Sequence, residues 1–160
     1  MREFLRAAAV ATVLSTLCAT VTWAAAPRDP VVGTWNLNVS KSKFSPGPAP
    51  KSQTRTYTQN ADGTTLTVTG VTADGSPISI HSTFKYDGKD YPYTGTPNWD
   101  SLSLKRVNGT TVKSVLKKGG KNVGTSTRTL SAHGKVLTVS TKLTDTKGMP
   151  INDLSVYDKQ

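Results

Sequence analysis

Cysteine occurs once in these 160 residues, at Cys18, glutamate once, at Glu3, and histidine twice, at His81 and His133. The lone cysteine excludes a disulfide framework and a thiolate metal site. With no glutamate after residue 3 and two histidines far apart, nothing completes a transition-metal ligand set, and no metal or cofactor is expected. Serine and threonine are plentiful, but a nucleophilic triad needs a histidine oriented by a carboxylate. His81 falls on the polar parity of its segment and His133 in a turn dipeptide, so no catalytic residue is assigned. Helical periodicity is also missing after the first 26 residues, which removes the helix that a phosphate-cradling glycine loop would open.

The only long apolar run lies at the start. MREFLR is a short basic segment, Ala7 to Val21 is mostly apolar but short for a ~20-residue membrane span, and Thr22-Trp23-Ala24-Ala25-Ala26 follows. This reads as a secretory signal over 1–24, cleaved after Ala24, because cleavage after Ala26 would leave Pro27 at the new terminus. Cys18 falls inside it, and Ser15-Thr16-Leu17 lacks the small residue that precedes a lipoprotein cysteine. The protein is therefore expected to be secreted or periplasmic, with no transmembrane segment in the mature chain. Residues 25–160 are expected to form a single monomeric domain, long enough to bury about two-thirds of its unfolded surface.

What remains is strongly basic. Without Arg2, Arg6 and Glu3, 18 bases face 9 acids, all aspartates, for a net charge of +9. Ten bases fall between Lys105 and Lys147, where Asp145 is the only acid. Such a field attracts anionic lipid surfaces and acidic polymers, or serves as a solvated face. Nucleic acid is not expected, because no recognised binding module is present.

Turn dipeptides punctuate the chain: Asp62-Gly63, Asp74-Gly75, Asp87-Gly88, Asn108-Gly109, Gly119-Gly120, His133-Gly134 and Lys147-Gly148. Asn-Gly and Asp-Gly supply the positive φ of tight hairpins. Between them, Thr- and Val-rich segments alternate in polarity, which predicts strands near 32–39, 52–59, 64–71, 77–86, 101–107, 110–117, 122–130, 136–144 and 151–158, and no helix. The expected fold is all-β, a single antiparallel up-and-down barrel of about 8–10 strands, since closure removes the two edges a flat meander would expose. A two-sheet sandwich is the alternative. Two segments break the rhythm. Ser40 to Pro50, with three prolines, is an extended loop, and Lys89 to Asp100 carries Tyr91, Tyr93 and Trp99 as either a lid over a barrel mouth or a short extra strand pair.

Strand parity sorts the side chains. Trp35, Leu37 and Val39 share a face, as do Leu66 and Val68, Ile78, Ile80 and Phe84, Leu102 and Leu104, Val112 and Leu116, and Leu137, Val139 and Leu143; these predict the interior. Lys85, Lys105, Lys113, Lys117 and Lys142 take the other parity. Two arginines depart from this: Arg106 falls in line with Leu102 and Leu104, and Arg55 with Tyr57. A guanidinium on a dry face needs an anion or several acceptors. Arg106 is thus placed either to bind a ligand carboxylate or, at its strand's end, to reach solvent or stack on an aromatic.

With Gly33-Thr34-Trp35 on the first strand, KKGGKNVGTSTRTLSAHGKVLTVS at 117–140 and a terminal SVYDKQ, the chain resembles the calycin superfamily of lipocalins and fatty-acid-binding proteins. The resemblance implies that the Trp35 indole closes one barrel end. It also implies, from the order of two Gly-Lys hairpins around an arginine-bearing strand, that Arg128 and Tyr157 hold a ligand carboxylate. The second arginine of that clamp falls on Ser155. Ser40 to Pro50 is too short and rigid for the paired helices of the fatty-acid carriers, and nothing here matches the helix of lipocalins. The chain is also similar to a group of small exported bacterial proteins that share KSKFSPGPAPKSQT, YDGKDYP and LSLKR, a likeness that brings no activity with it.

Together these features predict a non-catalytic binding barrel for a small amphipathic or anionic, fatty-acid-like ligand. Its apolar part would lie among Trp35, Phe84, Leu102, Leu104 and Leu137, and Arg55, Tyr57, Arg106, Arg128 and Tyr157 would serve its polar end. The alternative is a filled barrel acting through its basic surface on the envelope, a polyanion or anionic lipid.

Overall fold

The computed structural model describes residues 28–160, so the signal assigned to 1–24, Cys18 included, lies outside the described residues. Ten strands follow one another: β1 (Gly33–Leu37), β2 (Ser52–Asn60), β3 (Gly63–Val71), β4 (Pro77–Phe84), β5 (Asp87–Pro92), β6 (Ser101–Arg106), β7 (Thr111–Lys118), β8 (Lys121–Leu130), β9 (Val136–Thr144) and β10 (Pro150–Lys159). They form one antiparallel sheet in the order β4-β3-β2-β1-β10-β9-β8-β7-β6-β5. The first and last strands are neighbours, with Trp35 opposite Lys159 and Leu37 opposite Tyr157. This is the antiparallel up-and-down barrel that the alternating segments predict, and not a sandwich.

The ring is nearly closed. Between β4 and β5 no continuous ladder forms; a single bridge joins His81 to Thr94, and the Ser82 hydroxyl donates to the Pro92 carbonyl at 2.7 Å. Gly95 lies beside this seam with φ +92°, and a Cβ there would stand 1.9 Å from the Ser79 carbonyl oxygen. Only glycine allows the two backbones to approach so closely.

Local chemistry explains most connections. Gly119 and Gly120 take φ of +54° and +77°, the paired positive values that a two-residue hairpin demands. The Asn60 and Asn108 side chains accept from the backbone N–H groups two and three residues on, at 2.8–3.2 Å, and fix their turns.

Two expectations are corrected. Asp87-Gly88 is not a turn but the start of a tenth strand, where the ladder to β6 shifts register between Asp87 and Asp90; the turn is Lys85-Tyr86, so the first half of the aromatic connection is strand. Val39 leaves the interior, at 42% exposed, because Asn38 caps a 3-10 turn over Val39–Lys41. Beyond that turn the proline-rich loop still touches the sheet, Lys43 bridging to Leu154.

The other predicted inward residues form the core. Trp35, Val68, Leu137 and Tyr157 are fully buried, and Leu66, Phe84, Leu102, Leu104, Val112, Leu116, Val139 and Leu143 are nearly so, with Leu37, Ile78 and Ile80 packed against them. Full burial of each aliphatic side chain contributes about 1.5–3 kcal/mol, which is how the barrel holds together without a disulfide among its described residues.

Candidate functional site

The interior is not completely filled. A cavity of about 80 Å³ lies between β2–β4, β6–β9 and the 93–100 segment; its walls include Arg55, Tyr57, Phe84, Tyr93, Trp99 and Leu102, with Arg128, Ser114, Ser126 and Thr141 adding polar groups among further aliphatic side chains. This exceeds the ~10–15 Å³ that one water needs but falls below the ~300 Å³ lower end of ordinary ligand pockets.

Arg55 defines the character of this space. Alternation along β2 turns it inward, directly across from Trp35 on β1 and Val68 on β3. Its guanidinium stacks 5.0 Å from the Tyr157 ring, and Nη1 donates to the Tyr57 hydroxyl at 3.5 Å. No carboxylate among the described residues forms an ion pair with it. Burial works against its charge, but the oxygens of Tyr157, Tyr57 and Tyr93 outweigh burial and hold its pKa above the ordinary arginine value. The guanidinium is therefore a permanent cation inside the barrel. Among the described residues, its Nε and the Trp99 indole Nε1 are the two buried side-chain polar atoms without a hydrogen-bond partner. Both are donors, and both belong to residues lining the cavity.

A second group sits towards the end of the barrel. Asp29, just ahead of β1, is buried and accepts from the Val31 backbone at 3.2 Å and from the Tyr86 hydroxyl. Its Oδ2 also meets Arg106 Nη2 at 3.0 Å and Arg128 Nη2 at 3.9 Å. Arg128 donates to the Tyr86 hydroxyl at 2.8 Å, and Arg106 stacks 4.3 Å over the same ring. Burial pushes the Asp29 carboxyl upward, but the Tyr86 and Val31 hydrogen bonds and the two arginines outweigh it, leaving its pKa below the usual value. Tyr57 links the groups. Burial would raise its pKa, yet Arg55 and Arg128 on either side bring it below that of a free phenol, whereas burial pushes Tyr93 up to about 12.

The structure brings Arg55, Tyr57, Phe84, Leu102 and Arg128 together around one cavity. Tyr157 stands behind Arg55, its hydroxyl donating to Gln53 Oε1. Arg106 is at the mouth, its side chain 32% exposed and engaged by Asp29 and Tyr86, because the interior has ended where β6 ends. Trp35 is fully buried, its Nε1 donating to the Val31 carbonyl at 2.8 Å and its ring covered by Lys159 Nζ at 5.1 Å; neither it nor Leu137 reaches the cavity. Of the three aromatics in the long connection, Tyr93 and Trp99 stack 5.2 Å apart in the cavity wall, whereas the Tyr91 hydroxyl reaches exposed Asp87 at 2.8 Å.

Sequence reasoning missed Asp29, Tyr86 and Gln53. Asp29 precedes the first strand and obeys no alternation, so only the unmatched arginines signalled that an internal acid was needed. Tyr86 closes the predicted strand over 77–86, where parity says nothing about a turn.

No family model matches the chain, and no curated protein matches it in sequence. Among solved structures, the crystal structure of zebrafish ileal bile acid-binding protein complexed with cholic acid is similar, at TM-score 0.49 and 11% identity, covering 82% of this chain and 99% of that one. Among the described residues, no helix is long and apolar enough to cross a membrane, and no group of three metal-ligating side chains exists.

Proposed function

We propose that the protein is an exported, non-catalytic binding barrel that holds a small organic anion, a short or aromatic carboxylate, in the cavity beside Arg55. The observation that carries this is the buried guanidinium with no acid partner, facing a space whose walls offer a further unpartnered donor at Trp99. An anion there would accept from Arg55 Nε and Trp99 Nε1, and its apolar part would rest on Phe84, Leu102 and Tyr93. A charge-assisted pair of this kind is about twice as strong as a neutral hydrogen bond. Among the described residues, two inward guanidiniums, Arg55 and Arg128, with Arg106 at the mouth, face one buried carboxylate, Asp29, which leaves the interior short of negative charge.

The cavity walls contain no carboxylate, imidazole or thiol, which favours binding over conversion, since serine and threonine hydroxyls have no base beside them. The volume of about 80 Å³ restricts the ligand: a long acyl chain does not fit this interior, so the fatty-acid-like expectation narrows to a molecule of a few carbon atoms or one ring.

Calorimetric titration with benzoate and butyrate tests the reading, with the Arg55→Met variant beside the wild type. Saturable binding by the wild type and its loss in a folded Arg55→Met protein support it. Failure of both anions, with no small-molecule adduct in native mass spectra of protein from its host, replaces the carrier with a filled barrel that works through its surface.

A further inference from the structure

We infer that the outward face of β6 to β9 is a docking face for anionic phospholipid headgroups, independent of what the interior binds. The outward positions of these four strands carry serine, threonine, valine and lysine and no acid. Lys105 and Lys113 lie directly opposite each other across β6 and β7, a like-charge pairing that disfavours the isolated sheet and is relieved by an external anion. Lys142 stands on the same face two strands away, and all three are exposed. None forms an ion pair.

Two acids lie nearby on β5. Asp90 meets Lys117 at 2.7 Å, and Asp87, across from Lys105, accepts from the Lys89 backbone at 3.0 Å and the Tyr91 hydroxyl at 2.8 Å. Beside Lys105 and Lys113 a concavity of about 800 Å³ is lined by these two lysines and Arg106 together with Ser103, Thr125 and Thr127. Cations interleaved with hydroxyl donors suit phosphate oxygens, which accept from both.

The other side of the barrel provides the contrast. The outward positions of β1 to β4 carry neutral residues, among them Thr54, Thr56, Thr67 and Thr69, with no lysine and no aspartate. In the ring order, β2 and β3 lie opposite β7 and β8. The protein therefore has one neutral side and one cationic side, and a planar anionic surface orients it. Two features favour a lipid surface over a linear polyanion: Lys105, Lys113 and Lys142 spread over three strands of the sheet rather than along one line, and no aromatic residue stands among them to stack a base.

The test is co-sedimentation of the mature protein with vesicles of phosphatidylcholine alone and of phosphatidylcholine containing one-third phosphatidylglycerol, at low and high salt. Two triple variants carry the same charge change: Lys105→Gln/Lys113→Gln/Lys142→Gln on the face, and Lys51→Gln/Lys85→Gln/Lys135→Gln away from it. Salt-sensitive binding to the anionic vesicles alone is expected, weakened about a hundredfold by the face variant, at roughly fivefold per lysine, and largely kept by the control. Equal loss in both variants would reduce the effect to net charge and overturn the proposal. So would equal binding to both vesicle types, an absence of vesicle binding, or binding to heparin or DNA that anionic vesicles fail to compete away.

Discussion

Asp29 and Arg106 meet at 3.0 Å across the mouth of the barrel, joining the segment ahead of the first strand to the end of the sixth. With Arg128 at 3.9 Å from the same oxygen, Asp29 is the buried counterion shared by Arg106 at the mouth and Arg128 within. Asp29→Asn leaves two guanidiniums without their anion and is expected to cost about 3 kcal/mol, read from urea unfolding at neutral pH.

The same pair sets a pH dependence. The folded-state pKa of Asp29 is depressed, so the stability it adds is present above the unfolded carboxylate value near ~4 and is lost as pH falls through the lower folded value. The gap between the wild-type and Asp29→Asn urea midpoints should therefore be widest near neutrality and close below the unfolded value. A gap that persists unchanged in acid would show that the carboxylate charge is not what holds the mouth.

Two arginines a short distance apart should respond in opposite senses. Arg55 lacks an anion, so Arg55→Met is expected to stabilise the ligand-free protein by about 1–4 kcal/mol. Arg128 donates to Tyr86 at 2.8 Å, and Arg128→Met is expected to destabilise it by about 2 kcal/mol, the scale of a hydrogen bond from a charged group. Thermal melts of the two variants side by side check the signs.

Trp35→Ala empties a fully buried indole site and is expected to cost about 3–5 kcal/mol. Trp35→Phe retains most of the apolar contact but leaves the Val31 carbonyl without its donor, for a smaller loss of about 1–3 kcal/mol. Denaturant midpoints that failed to rank the two in this order would place the value of Trp35 elsewhere than in its packing.

At the seam, Gly95→Ala forces a methyl group onto the Ser79 carbonyl. The His81 to Thr94 bridge should open, seen as faster hydrogen exchange of the Thr94 amide, which donates to the His81 carbonyl at 3.0 Å. Exchange across the β2–β3 ladder should stay unchanged.

Much of the barrel was legible because a half-buried strand writes its two faces into alternate residues. Leu66 and Val68, Leu102 and Leu104, and Leu137, Val139 and Leu143 reach the core as their parity says. Arg55 was legible for the same reason, as a polar residue out of step. Parity fails where the backbone leaves the pleat. Val39 turned outward in a 3-10 turn, Asp87-Gly88 supplied a strand irregularity instead of a turn, and Arg106 reached its strand's end just as the interior gave way to the mouth. Asp29 was invisible because a residue outside any strand has no face to declare. Cavity size is likewise set by how side chains from many strands meet, which no single segment records.

The pairing of β1 with β10 imposes an order of events on folding. Asn38 waits for Asp158, 120 positions later, so while a chain is being made, β1 remains an open flank until the final strand arrives. Loop-closure entropy makes such a contact slow to form. Polypeptide lacking its last ten residues would present two unsatisfied borders and self-associate, whereas the finished molecule would snap shut as a unit.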